Sequence, residues 1–339
     1  MAERASLKRQ NTLVNRRAAL ATLFLLAACG GQEENVGEVR SSSVTAPIVW
    51  QTPVFGNDIA GFSLSDAAPM QILIANEESG IQLIDVDGAT IGRPGPYTAS
   101  DISEAVLGSF GETQLRLFPG IDRNSGRLSL FAHGDGLVAP IDIDVENAPS
   151  DYLEGLCSGR PASDDGLMQI GFWTQLDKAT LVIGELTNVA GALTFEETER
   201  LEFDKYLTSC AIDGDTIVAG GGFGLAFGAV SDDNPSLDVP GVPVELTVRE
   251  FGDTALAALT MSGGQVYLAY PDGKIAAVQF RAGLSSASPQ AVGDIAMTTL
   301  GSVGSFPNGF LAVESQTSQG SQLVYADLRE LMAQFQESE

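Results

Sequence analysis

Residues suited to catalysis or metal binding are few in this chain of 339 residues. The single histidine, His133, excludes a zinc site built from several histidines. The run Asp85–Gly88 begins like a calcium-binding loop, but Pro96 stands at the twelfth position, where such a loop needs a bidentate Glu. We therefore predict a hairpin turn there. The glycines within 220–224 precede a predicted strand, so they do not form a phosphate cradle at the start of a helix.

The N-terminal segment has the pattern of an export signal that ends in a cysteine. Five basic side chains fall within residues 1–17, and the apolar run Ala18–Ala28 follows them. Eleven residues span only about 16 Å as a helix, which is too short for a bilayer core of about 30 Å. The run Leu26-Ala-Ala-Cys29 resembles the lipobox of bacterial lipoproteins, in which the thiol carries the lipid. We predict a lipoprotein signal peptide over 1–28 and lipidation at Cys29, with an ordinary signal peptide as the alternative.

The residues after Cys29 predict where the protein resides. Gly30 and Gly31 follow it and no Asp stands beside it, which favours the outer membrane, facing the periplasm or the exterior. Residues 29–46 are then the lipidated cysteine and a flexible tether, and 47–335 are the folded body. Arg16-Arg17 leaves both the general secretory route and the twin-arginine route open.

Charge limits the possible partners. The formal net charge is −26, and removal of residues 1–28 brings it to about −30. Nucleic acid is excluded as a partner, because its binding requires cations that neutralise phosphates. The remaining candidates are the membrane, contacted through the lipid anchor, and an envelope protein or a small anionic ligand.

Two cysteines remain once Cys29 is assigned to the lipid. Cys157 and Cys210 would lie in an oxidising compartment, and we expect them to form a disulfide. The alternative is a pair of buried free thiols that pack as small apolar side chains.

A short apolar segment, a polar turn and a second apolar segment recur six times along the chain. The units begin near residues 71, 128, 168, 216, 266 and 310. Many short strands at this spacing predict an all-β, six-bladed β-propeller, whose ring closure hides the sheet edges. Two packed β-sandwiches are the alternative. Residues Glu196–Phe203 suit either a strand or a helical turn, and Leu328–Phe335 suits a short C-terminal helix.

Six segments, in order and at the spacing of blades, resemble a known family. They are Pro47-Ile-Val-Trp50, Asn76-Glu-Glu-Ser-Gly80, Leu115-Arg116, Glu154-Gly-Leu-Cys-Ser158, Ser209-Cys210-Ala with Gly220-Gly-Gly222, and Gly293-Asp-Ile through Phe306-Pro-Asn-Gly-Phe-Leu-Ala-Val313. The chain resembles the β-propeller phytases (3-phytases, BPP domain), a six-bladed and calcium-dependent family that releases phosphate from inositol phosphates. Cys157 and Cys210 fall on positions that are cysteine in some members.

The resemblance implies a site at the mouth of the central channel, where carboxylates hold Ca²⁺ and basic side chains hold phosphate. Arg116 and Arg123 are the candidates for binding phosphate, although Arg116 also suits the bracing of a turn between blades. The matching metal positions have largely lost their acids, as at Thr45, Ala46 and Gln114. The weak metal candidates that remain are Glu77, Glu78, Glu154 and Glu314.

This loss predicts a phytase-like envelope lipoprotein whose catalytic site has degenerated and which acts as a binding or scaffold module. No cofactor is expected in that case. The alternative is an active, Ca²⁺-dependent phosphomonoesterase with a rearranged site, so the sequence leaves enzymatic activity open.

Overall fold

The computed structural model describes residues 42–337, apart from gaps at 55–58, 66–68, 77–79, 93, 111–112, 135–136, 164, 190, 232–233, 252–253, 284–287, 290, 302–305 and 318–319. The predicted signal peptide, Cys29 and most of the predicted tether lie outside the described residues. Residues Val39–Glu339 belong to one compact unit. No helix in its described part is long and apolar enough to cross a membrane.

The strands fall into six successive groups, which we number as sheets 1 to 6. Sheet 1 contains β2 (Ile59–Leu64), β3 (Ile72–Asn76) and β4 (Gly80–Ile84). Sheet 2 contains β5 (Ala99–Ile102), β6 (Val106–Phe110), β7 (Thr113–Asp122), β8 (Leu128–Gly134) and β9 (Ile141–Ile143). Sheet 3 contains β10 (Val145–Glu146), β11 (Leu153–Gly159), β12 (Gly166–Thr174), β13 (Thr180–Val189) and β14 (Ala192–Glu202).

The second half of the chain supplies the other three groups and one helix. Sheet 4 contains β15 (Leu207–Asp213), β16 (Thr216–Gly221) and β17 (Gly224–Phe227). Sheet 5 contains β18 (Pro243–Phe251), β19 (Thr254–Met261), β20 (Val266–Ala269) and β21 (Ile275–Arg281). Sheet 6 contains β22 (Val292–Thr298), β23 (Phe310–Thr317) and β24 (Gly320–Asp327). Helix α1 (Leu328–Glu337) follows, as predicted, and the segment from Glu196 belongs to strand β14.

The six predicted units correspond to pairs of neighbouring strands in the structure. The pairs are β3–β4, β8–β9, β12–β13, β16–β17, β20–β21 and β23–β24, all antiparallel. The turn predicted at Asp85–Gly88 is also present. Asp85 Oδ1 accepts the N–H groups of Asp87 at 3.0 Å and Ala89 at 2.8 Å, and Gly88 has a φ of 86° that suits glycine.

Six apolar cores alternate with the six sheets. Each core draws buried side chains from two neighbouring sheets, and sheets 6 and 1 share a core in the same way. In that last core Phe62 of β2 lies with Phe310 of β23 and Tyr325 of β24. A strand that packs against a core on each of its two faces needs apolar residues on both faces. The sequence of β19 is accordingly a nearly continuous apolar run. The fold is all-β and propeller-like.

Strand β1 (Ser42–Pro53) joins the two ends of the chain. Its first half pairs in parallel with β21 and its second half pairs in antiparallel fashion with β24. The side-chain amide of Gln334 in α1 accepts from the N–H and donates to the carbonyl of Thr45, both at 2.8 Å. The strand begins at Ser42, before the predicted start of the folded body at Pro47. The first residues of β1 resemble a tether in composition, but their pairing with β21 makes them part of a strand.

The expected disulfide between Cys157 and Cys210 is present. It joins β11 of sheet 3 to β15 of sheet 4, and the two Cα atoms are 5.5 Å apart. Both cysteines are buried in the core that these sheets share. The bond therefore fixes two edge strands that face the centre of the molecule.

Candidate functional site

A small cavity lies where the six sheets meet. One edge strand from each sheet lines it, namely β2, β5, β11, β15, β18 and β22. Its volume is about 50 Å³, which is room for about two water molecules. We call it the central cavity. The hydroxyl of Ser63 lines it and has no hydrogen-bond partner among the described residues, so a water in the cavity would satisfy it.

Besides Glu104, which follows β5, three carboxylates from three different sheets line the central cavity. They are Asp101 of β5, Glu245 of β18 and Asp294 of β22. Burial raises the pKa of Asp101 to about 7 and that of Asp294 to about 8, and the charges of Asp101 and Glu314 add to the rise for Asp294. Burial, followed by the charges of the other acids, also raises the pKa of Glu245 well above its ordinary value. The cluster therefore retains protons at pH values where exposed carboxylates are ionised.

Two of these carboxylates bind the protein backbone across the joins between sheets. Asp294 accepts the N–H of Phe62 in β2 at 2.6 Å and that of Ile295 at 2.7 Å. Asp101 accepts the N–H groups of Ile102 and Leu156, the latter in β11. Their oxygens thus connect sheet 6 to sheet 1 and sheet 2 to sheet 3, which is a structural use of the acids.

An ion pair spans the central cavity. Arg249 of β18 donates to both carboxylate oxygens of Glu104, which follows β5, and its Nη1 lies 2.7 Å from Oε2. Sheets 5 and 2 share no core, so the pair reaches across the molecule. Both side chains are largely buried, and the carbonyl of Glu104 also accepts from Ser158 Oγ at 2.6 Å. Three sheets are held together at this point.

The two arginines predicted to bind phosphate lie apart. Arg116, in the middle of β7, is buried, and its guanidinium donates to Ser65 Oγ at 2.9 Å and to the carbonyl of Pro69 at 3.0 Å. This bracing of sheet 1 against sheet 2 is the alternative that the sequence left open. Arg123 is exposed just beyond the end of β7, about 20 Å along the strand. The two arginines are therefore too far apart to hold one phosphate group.

Of the four acids predicted as weak metal candidates, the structure describes two, Glu154 in β11 of sheet 3 and Glu314 in β23 of sheet 6. Glu77 and Glu78 lie outside the described residues. Glu154 is exposed and forms an ion pair with Lys178. Glu314 is buried, accepts from Ser321 Oγ at 2.6 Å, and adds its charge to Asp294 and Glu245. In the part of the chain that the structure describes, no three His, Cys, Asp or Glu side chains are arranged to hold a metal ion.

The sequence interpretation missed the charged residues of the central cavity. Asp101 and Asp294 lie in short strands that open their sheets, whereas the recurring pattern drew attention to the later hairpins. The available signal was an acid followed by isoleucine in the opening strands of sheets 2 and 6, at Asp101-Ile102 and Asp294-Ile295. The ion pair of Arg249 with Glu104 has no local sequence signature, because 145 residues separate these two partners. The position of Glu245 has no local sequence signature either.

Comparison with known proteins finds no relative by sequence, and the similar solved structures are distant. No family model matches the chain, and no curated protein sequence matches it. Among solved structures, BBS1N in complex with ARL6DN is similar with a TM-score of 0.47 and 13% identity, over 86% of this chain and 98% of that one. A six-bladed fucose-binding lectin from Aleuria aurantia has a TM-score of 0.47 and 9% identity, over 79% and 91%. The Dos1 propeller has a TM-score of 0.39 and 12% identity, over 78% and 66%.

Proposed function

We propose that the chain is a lipid-anchored binding or scaffold module of the cell envelope, built on a six-bladed propeller of phytase-like ancestry whose catalytic site has degenerated. Sheets 1 to 6 are its blades, and β1 completes the last of them. The anchor is Cys29, and the outer membrane is the proposed location, facing the periplasm or the exterior. Residues 30–41 then reach up to about 40 Å between the lipid and Ser42.

The observation that carries this proposal is the internal use of the central cavity. Asp101 and Asp294 bind backbone N–H groups, and the carboxylate of Glu104 is bound by Arg249. Calcium would need six to eight oxygens in place of these partners. The donor set therefore fits a structural centre better than a calcium centre, and contacts with partners fall to the outer surfaces.

The proposed lack of catalysis is tested by incubating the mature chain with phytate and with an aryl phosphate, each with Ca²⁺ and with EDTA. We expect no release of phosphate above that of a protein-free blank. Arg116 is bound to Ser65 and Pro69, and the acids Asp101, Asp294 and Glu104 of the central cavity are bound to backbone N–H groups or to Arg249. Release that requires Ca²⁺ and is abolished by EDTA would contradict the proposal.

The second candidate is a Ca²⁺-dependent phosphomonoesterase of the phytase type with a rearranged site. One observation favours it: Glu314 lies close enough to Asp294 and Glu245 for its charge to raise the pKa of both. Any Ca²⁺-dependent release of phosphate should then disappear in Glu245→Gln, whereas Glu202→Gln, which changes an exposed acid of β14 outside the lining of the central cavity, should retain it.

A further inference from the structure

A groove of about 700 Å³ lies on the outer part of sheet 3, between the segment Asn147–Asp151 and strands β12 to β14. We call it the outer groove. Its floor is apolar and contains Phe172, Val182 and Phe195, with the two phenylalanine rings 5.9 Å apart. Leu176, in the turn after β12, also lines it, and 94% of this side chain is exposed. A partner segment that lies in the outer groove would remove the Leu176 side chain from water, which is favourable.

The rim of the outer groove is acidic. Asp151, Asp177, Glu196 and Glu197 line it, and all four are exposed. Arg200 is the basic residue in the lining, and it forms an ion pair with Glu197 at 2.6 and 2.7 Å. One charge is thus neutralised and three carboxylates remain. Acidic side chains along a strand edge also deter aggregation, but that role does not account for the exposed Leu176.

The groove also borders an open strand edge. Strand β14 pairs with β13 along its length, whereas β10 covers its other side only at Leu193 and Thr194. From Phe195 to Glu202 no described strand pairs with that side. Free N–H and C=O groups along such an edge accept an added extended strand, and the groove beside it accepts that strand's side chains.

We propose that the outer groove binds an extended basic segment of a partner protein. The segment places an apolar side chain against Leu176 and Phe195, and its Lys or Arg side chains face the carboxylates of the rim. Charge complementarity selects this occupant, since a neutral or acidic segment would leave the rim without partners. The inference rests on the proposed role as a binding module and gives that module a surface and a class of partner.

The test is fluorescence anisotropy with the mature chain and a labelled ten-residue peptide in which Lys and Leu alternate. Peptides alternating Glu with Leu and Lys with Ser are the comparison probes. We expect only the Lys and Leu peptide to bind with micromolar affinity. Leu176→Ser should weaken that binding about tenfold, because a buried apolar anchor contributes over 1 kcal/mol. Glu196→Lys should also weaken the binding of this peptide. The difference in affinity from the unaltered chain should grow as the salt concentration is lowered, because the repulsion between lysines is then less screened.

Matched controls separate this site from general attraction to an acidic protein. Val138→Ser removes another exposed apolar side chain, and Asp238→Lys reverses another exposed acid, both outside the groove. Both controls should bind the peptide as the unaltered chain does. Equal affinities for Leu176→Ser and Val138→Ser, or for Glu196→Lys and Asp238→Lys, would overturn the inference. So would tight binding of the Glu and Leu peptide. If the peptide does not bind and the chain releases no phosphate, this inference is wrong, but the proposed function is not contradicted.

Discussion

Replacing Arg249 with methionine is expected to lower the free energy of unfolding by about 3 kcal/mol. The substitution leaves the carboxylate of Glu104 largely buried without its cation, and an uncompensated buried charge is costly. The loss should be measured by urea denaturation at pH 7. Because the pair spans the central cavity, sheets 2 and 5 should also loosen together, which amide exchange in β5 and β18 would report.

Two further variants determine whether the effect belongs to the buried pair. Combining Arg249→Met with Glu104→Gln should restore most of the lost stability, because no unpaired charge is left in the interior. Lys178→Met breaks the exposed pair with Glu154 and should cost less than 1 kcal/mol. If Arg249→Met cost no more than Lys178→Met, the ion pair would not hold the centre of the molecule.

Removing the disulfide is expected to lower the free energy of unfolding by about 4 kcal/mol. Cys157 and Cys210 are 53 residues apart, and a loop of that length restricts the unfolded chain by about this amount. The variant to compare is the double substitution Cys157→Ala and Cys210→Ala, since alanine adds no polar atom to the buried core. Denaturation of both proteins in oxidising buffer gives the difference.

A reductant supplies the control for the disulfide prediction. Dithiothreitol should lower the stability of the unaltered chain toward that of the double variant and should leave the double variant unchanged. Equal stability of the two proteins in oxidising buffer would show that the bond contributes little and that the core between sheets 3 and 4 suffices.

Local sequence pattern predicted the fold well wherever two strands that are adjacent in the chain form a hairpin. Alternating apolar residues and Gly-containing turns specify units such as Ile72–Ile84, because both strands and the turn lie within a few residues of one another. Strand β1 could not be found in that way. Its residues Ser42–Ala46 are polar or small apart from Val44, and pairing with Ala276 and its neighbours, far along the chain, makes them a strand.

The candidate site was less predictable than the fold, for a physical reason. Whether an arginine binds a ligand or braces the protein depends on what surrounds it. Arg116 satisfies its donors on Ser65 and Pro69, residues that no short pattern connects to it. In the same way, Asp101 and Asp294 become unusual only because the closed ring of sheets removes water from them. Ring closure is a property of the whole chain.

The central claim is that the carboxylates of the central cavity hold protons and backbone groups, and not calcium. Raised pKa values in the folded state mean that stability falls as pH rises from about 5 through 8, since the folded chain binds more protons than the unfolded one. The most direct measurement is therefore the free energy of unfolding across this range, with EDTA and with millimolar Ca²⁺. We predict a fall of about 2 kcal/mol or more, a smaller fall for Glu245→Gln, and the same curves with Ca²⁺. Stability that Ca²⁺ raises at pH 8, by an amount that Glu245→Gln abolishes, would contradict the account.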